Sequence, residues 1–255
     1  MNQGRRSPTD LWVCHLGVVP YRDALAFQEQ TAVRRRAGEL PDTLLLLEHP
    51  PVYTRGRRSL PGELTLGEDF YRARGIEVVL TDRGGRVTYH GPGQLVGYPI
   101  MGVTDVIAHL RTIEDALVAA LAEEGVAARS RPQDGPDYTG VWVGERKIAS
   151  LGVHVSRGVS THGFAVNVDN DMEPFTWVVA CGLPDVEMTS VATELDQAGG
   201  EAACARTTLS CLRKRVAHHF CAIHGRRQRL VSPQRLGIAA PVAPTASRRR
   251  TAVPA

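Results

Sequence analysis

A single α/β or α+β domain built on a mixed sheet is the fold class that this 255-residue sequence predicts, and three observations carry it. Helical and strand-like periodicities interleave along the chain, two strand-like runs flank a tight turn near its middle, and 25 Gly and 16 Pro residues punctuate the runs. A composition of 43% hydrophobic and 22% charged residues lies in the ordinary globular range and excludes collagen-like, coiled-coil and wholly disordered chains.

Residues 21–36 place Tyr21, Leu25, Ala32 and Val33 at helical spacing, with Arg34 to Arg36 in the last turn, where cations favour the helix dipole. Thr43 to Glu48 reads as a short buried strand, ended by His49-Pro50-Pro51, because two prolines cannot continue a central ladder. A second strand, Ile76 to Thr81, follows the breaker Gly75. From Asp105, a suitable N-cap, Ile107, Leu110, Ile113, Leu117 and Leu121 recur every three or four positions up to Gly125 and predict the clearest helix. Residues 129–140 are polar, with Gly and Pro, and read as a loop. Val141 to Val143, a turn at Gly144 to Arg146, and Lys147 to Val155 predict a β-hairpin. Strict alternation there puts Lys147 on the face of Ala149, Leu151, Val153 and Val155. Phe164 to Val168 predicts a third strand, and Leu209, Leu212, Val216, Phe220 and Ile223 a final helix. The domain is expected over 10–224, with residues 225–255, rich in Arg and without period, as a disordered tail.

That tail carries seven Arg and no acid, so the net charge of +3 leaves −4 for residues 1–224, and the basic balance does not describe a nucleic-acid face on the domain. No apolar run approaches the roughly 20 residues needed to cross a bilayer. Five widely spread cysteines, with no apolar signal core near Met1, point to a reducing, cytoplasmic setting. Of 30 Lys+Arg only Lys147 and Lys214 are Lys, which matters because Lys can deprotonate in a protein and Arg cannot.

Two stretches are candidates for chemistry. Arg83-Gly84-Gly85-Arg86-Val87-Thr88-Tyr89-His90-Gly91-Pro92-Gly93-Gln94 joins two strand-like runs, and its glycines allow close backbone approach to a ligand. It matches neither a P-loop nor G-x-G-x-x-G, and on its own it reads equally as a glycine-rich turn. Cys181 lies in Val179-Ala180-Cys181-Gly182-Leu183-Pro184, where Gly and Pro place the thiol at an element end; the bland alternative is a buried structural thiol. Cys14, Cys204, Cys211 and Cys221 read as structural. Cys221 and His224 with His218 or His219 lack a fourth ligand, so no metal site is expected. His90 and His154 are open between site and satisfied core residues.

Arg83-Gly84-Gly85-x-x-Thr88-x-His90-Gly91-Pro92-Gly93-Gln94-Leu95-x-x-Tyr98-Pro99 resembles the signature of the lipoate-protein octanoyltransferases. The likeness extends to His49-Pro50-Pro51-x-Tyr53-Thr54-x-Gly56, to Lys147-Ile148-Ala149-Ser150-Leu151-Gly152, to His162-Gly163-Phe164-Ala165-x-Asn167 and to Cys181-Gly182, in the family's order over about residues 11–224. Ala180, where many members have Pro, and the tail depart from the pattern.

The resemblance implies the fold of the biotin and lipoate protein ligase catalytic domain. It implies transfer of an octanoyl group from octanoyl-acyl carrier protein to a lysine of lipoyl domains, those of 2-oxoacid dehydrogenase acyltransferase subunits and of glycine cleavage H protein, as a step of lipoate biosynthesis. It implies Cys181 as acyl-accepting nucleophile and Lys147 as its partner, either a charge that favours the thiolate or a base. It implies an acyl site along Arg83, Gly84, Gly85, Arg86, Val87, Thr88, Tyr89 and His90, along Ser150, Leu151 and Gly152, and along Gly163, Phe164 and Ala165. No cofactor, nucleic acid or membrane partner is expected, and the chain is expected to be a monomer. Two other readings stand beside it: an ATP-dependent ligase of the same fold, which needs a nucleotide site and no nucleophilic Cys, and a non-catalytic acyl- or nucleic-acid-binding module contacted through the tail.

Overall fold

Residues 9–183, 186–199 and 208–238 are described by the computed structural model. The first half of the chain runs β1 (Asp10–Val18), α1 (Tyr21–Arg36), β2 (Thr43–Glu48), β3 (Val52–Arg55), α2 (Glu68–Ala73), β4 (Glu77–Leu80), β5 (Val87–His90), β6 (Gln94–Ile100) and α3 (Val106–Ala122). The second half runs β7 (Arg129–Ser130), β8 (Gly140–Val143), β9 (Arg146–Ser156), β10 (Val159–Asn167), α4 (Val191–Gln197), α5 (Leu209–Ile223) and β11 (Arg227–Val231).

Eight strands form a mixed sheet in the order β11-β1-β2-β6-β10-β9-β8-β7, and β4-β3-β5 form a second, smaller one. β2 shows why the large sheet is central. Its Leu44 and Leu46 enter the core under α3 and α5, while Leu45 and Leu47 enter the core under α1, so a continuous apolar run feeds both faces. Asp105 caps α3 by accepting from the backbone N–H groups of Ile107 and Ala108, and Thr208 caps α5 through Cys211 N. A third core of Tyr53, Tyr71, Val87, Tyr89 and Phe175 lies against the small sheet.

Several expectations change. The strand near 76–81 belongs to the small sheet, pairing parallel with β3. The strand expected at 164–168 begins at Val159 as the long second arm of a hairpin with β9. The tail does not begin at 225: Arg227–Val231 pairs parallel with β1, and Leu236 and Ile238 are buried in the α1-side core. Backbone pairing and two apolar anchors order this stretch despite its basic composition. Residues 239–255 and Cys204 lie outside the described residues, as does Pro184. Cys14 and Cys221 are buried as expected, and burial pushes their thiols up to about 12 and about 11. Among the described residues no helix is long and apolar enough to cross a membrane.

Candidate active site

A cavity of about 270 Å³ opens between the two sheets, just below the roughly 300–1,000 Å³ typical of ligand pockets. Both candidate chemical residues line it: Cys181 and Lys147.

Cys181 sits on the one-turn 3-10 helix Ala180–Gly182 with φ 57° and ψ 11°, a left-handed conformation that few L-residues adopt and that clusters at functional sites. The turn is tied down on either side. Val179 N donates to Glu63 O, Ala180 is buried in the small-sheet core, and Gly182 lacks the Cβ that would collide with the Arg86 side chain. Arg86 is in turn held by Glu63, at 2.9 Å. The thiol is half-buried, with Ser150 Oγ 3.5 Å from its Sγ.

Lys147 is only 2% exposed and reaches the cavity through an irregularity. Trp142 pairs with Lys147 but Val141 pairs with Ala149, so Ile148 is an extra residue, a β-bulge in β9. The bulge moves Lys147 off the face expected for it. Ala149, Leu151, Val153 and Val155 pack in or against the α3-side core, Leu151 and Val153 also bordering the cavity, whereas Lys147 stands outside that core and joins Ser150 and Gly152 at the cavity. Its Nζ lies 5.1 Å from the centre of the Trp142 ring, and its stem passes Gly140, where a Cβ would lie 2.6 Å from Cε. Gly140 N is fixed by the buried Glu114 of α3 at 2.8 Å. Lys147 N donates to Glu187 O and its carbonyl accepts from Thr189 N, which stitches the lysine to the segment downstream of Cys181.

The other expected contacts divide cleanly. Gly84, Gly85, Arg86, Thr88, His90, Ser150, Leu151, Gly152, Gly163, Phe164 and Ala165 all line the cavity. Val87 and Tyr89 do not: strand alternation in β5 turns them into the small-sheet core. Arg83 lines the cavity, but its guanidinium is committed to the protein, donating to Thr54 Oγ1, the Thr54 carbonyl, the Gly84 carbonyl and the Arg86 carbonyl. Burial lowers its pKa, opposed by Tyr21 and Cys181, and a guanidinium stays charged regardless. Arg83 therefore shapes the glycine loop from within.

A buried amide relay accounts for two further signature residues. His90 Nδ1 donates to Gln94 Oε1 at 2.7 Å, Gln94 Nε2 donates to Asn167 Oδ1 at 2.8 Å, and Asn167 Nδ2 donates to the Thr189 carbonyl at 3.0 Å. With Thr189 N on the Lys147 carbonyl, one chain of hydrogen bonds runs from a cavity wall to the lysine backbone. Burial holds the His90 pKa well below its ordinary value, so the imidazole is neutral. Sequence reading missed Tyr21, Tyr98, His162, and the α3 residues Val106, Ile107 and Leu110 as cavity walls. Tyr98 and His162 stood inside quoted motifs; Tyr21 had no signal beyond its place at a helix start.

The lipoyl protein ligase A/B catalytic domain model matches residues 20–220. An octanoyltransferase from Acidothermus cellulolyticus is 48% identical over 190 residues, covering 71% of this chain and 80% of the relative. One from Mycolicibacterium smegmatis is 42% identical over 236 residues, 89% of this chain and 95% of the relative. The chain belongs to the octanoyltransferases of this family. It is thus an acyltransferase, and its fold agrees: a putative lipoate protein ligase from T. acidophilum superposes with a TM-score of 0.69 at 19% identity, covering 88% of this chain and 89% of that one. P. falciparum LipL1, solved in complex with lipoate, superposes with a TM-score of 0.67 at 9% identity, over 89% and 67% of the two chains. At those identities the likeness speaks to the fold.

Proposed function

We propose that the enzyme moves an octanoyl group from octanoyl-acyl carrier protein to a lysine of a lipoyl domain through an acyl thioester on Cys181. The observation that supports this most is the placement of a strained, half-buried thiol and a buried lysine, in a chain with only two lysines, around one cavity.

A free thiol near neutral pH is only a few per cent thiolate, so a neighbouring group must favour the charged form or remove the proton. Lys147 fills that role. The Cys181 thiolate attacks the carbonyl carbon of the donor thioester, the tetrahedral intermediate collapses, and the carrier's thiolate leaves and takes up a proton. The carbonyl oxygen, negative in the intermediate, needs a donor such as the backbone N–H of Gly85, since that of Gly182 donates to the Val179 carbonyl. In the second half-reaction the neutral lysine amine of the lipoyl domain attacks the Cys181 thioester, the attacking nitrogen gives up one proton to a neighbouring base or water as the amide forms, and the Cys181 thiolate leaves. The first step exchanges one thioester for another and the second makes an amide, so neither requires ATP.

The test is a transfer assay with octanoyl-acyl carrier protein and an isolated lipoyl domain in the absence of ATP, followed by peptide mapping. One octanoyl group on a lysine is the expected product. Modification only from free octanoate and ATP would instead establish a ligase.

A further inference from the structure

His162 is the second strained residue in the cavity wall, with φ 57° inside a strand. Its neighbours in β10 show what the strain does. Phe164 and Val166 point into the α3-side core, and alternation would send His162 the same way. Instead its ring lies 6.4 Å from that of Tyr98, a residue of the α1-side core, and its Nε2 donates to Asp82 Oδ1 at 2.7 Å. The backbone N–H of His162 is held by Gln28 of α1 at 2.6 Å. The left-handed kink thus turns the imidazole away from that core toward Tyr98 and Asp82, where the residue lines the cavity. Its other ring nitrogen, Nδ1, is buried without a partner among the described residues.

Strand register gives the distance from the chemistry. Ser150, whose hydroxyl touches the Cys181 thiol, pairs with Ala165, and His162 pairs with Val153 three positions along. At about 3.3 Å per residue the two positions are roughly 10 Å apart. With C–C bonds of about 1.5 Å at tetrahedral angles, an extended eight-carbon acyl chain spans roughly 9 Å from carbonyl to methyl. Tyr21, His90 and Tyr98 line the cavity with His162, and their rings pack as a set: Tyr21 stacks on His90 at 6.0 Å, and Tyr98 donates to His49 Nε2 at 2.7 Å.

We propose that His162 is the stop that sets the acyl chain length this enzyme accepts: the ring, anchored by Asp82, closes the end of the cavity that an acyl chain on Cys181 reaches. A longer chain would press its methyl end against a fixed imidazole with an unpaired polar nitrogen. The inference rests on the acyl-Cys181 reading and deepens it.

Substitution by glycine tests it cleanly, because glycine adopts φ 57° without strain while removing the ring. Rates of Cys181 acylation would be measured by intact mass for acyl-pantetheine thioesters of six to fourteen carbons, with the wild type, His162→Gly and His162→Asn; Asn also tolerates this backbone and leaves a shorter side chain. The expected result is a C8 optimum in the wild type, a rise of at least tenfold in the C10-to-C8 rate ratio for His162→Gly, and an intermediate ratio for His162→Asn. A merely structural role lowers the rate at all lengths and leaves the ratios unchanged, which would overturn the proposal. Acylation with an unchanged length profile refutes the stop alone, whereas no adduct on Cys181 at any length refutes the acyl-cysteine reading with it.

Discussion

At the scale of single residues, the site is built from backbone irregularity. Cys181 and His162 both occupy left-handed conformations, and Lys147 arrives through a bulge. Each device points a side chain where regular structure would not, and each is held by surrounding contacts. Lys147→Arg is expected to lower transfer about 100-fold or more, since a guanidinium neither deprotonates nor fits the narrow channel past Gly140, with unchanged far-UV circular dichroism. A steady-state comparison at matched protein concentration checks it. These devices also mark the limit of sequence reading. Cys181, Lys147 and the glycine loop stood out in the sequence through the family resemblance, and the structure brings them to one cavity. The face of Lys147 and the kink at His162 were not legible, because a bulge or a positive φ in a non-Gly residue is decided by tertiary contacts.

At the scale of elements, long segments were readable: α1, α3 and α5 fall where expected, with the Asp105 cap, although α1 buries Ala24, Gln28 and Thr31 and exposes Val33, one of the residues its spacing was read from. Some short pieces were not: β3, α2 and α4, of four, six and seven residues, are too short for a period to emerge, whereas the four-residue β4 and β8 were marked by adjacent glycines. The close approach of β10 and β6 explains one signature glycine: a Cβ on Gly163 would strike the Gly97 carbonyl oxygen and lie 2.5 Å from Pro99 Cδ. Gly163→Ala is therefore expected to cost about 1–3 kcal/mol, read as a lower urea midpoint at unchanged slope. Asn167→Ala severs the amide relay and leaves Gln94 Nε2 short of one acceptor and the Thr189 carbonyl without its donor, for about 1–3 kcal/mol. The same urea titration measures it.

At the scale of the whole molecule, the C-terminal segment belongs to the fold. β11 forms one edge of the large sheet, and Leu236 and Ile238 are buried beyond it. Burying each such side chain is worth about 1.5–3 kcal/mol, so a chain ending at residue 224 is expected to melt several degrees below one ending at 238. A calorimetric scan of both compares them. Buried imidazoles set the acid limit of stability. Burial pulls His49 and His109 from 6.5 down to about 4, so the unfolded chain binds protons below pH 6.5 that the folded one refuses. Stability is fully present above pH 6.5 and falls as pH drops toward 4. The urea midpoint is expected to be lower at pH 5 than at pH 7.5; equal midpoints would contradict these buried neutral histidines.

A covalent acyl-Cys181 intermediate is detected by intact mass spectrometry after incubation with octanoyl-acyl carrier protein without ATP, beside Cys181→Ser. A gain of one octanoyl group that hydroxylamine removes, absent from the variant, is the predicted result. An unmodified protein that nevertheless transfers octanoate to a lipoyl domain, or an adduct that persists in Cys181→Ser, would contradict the account.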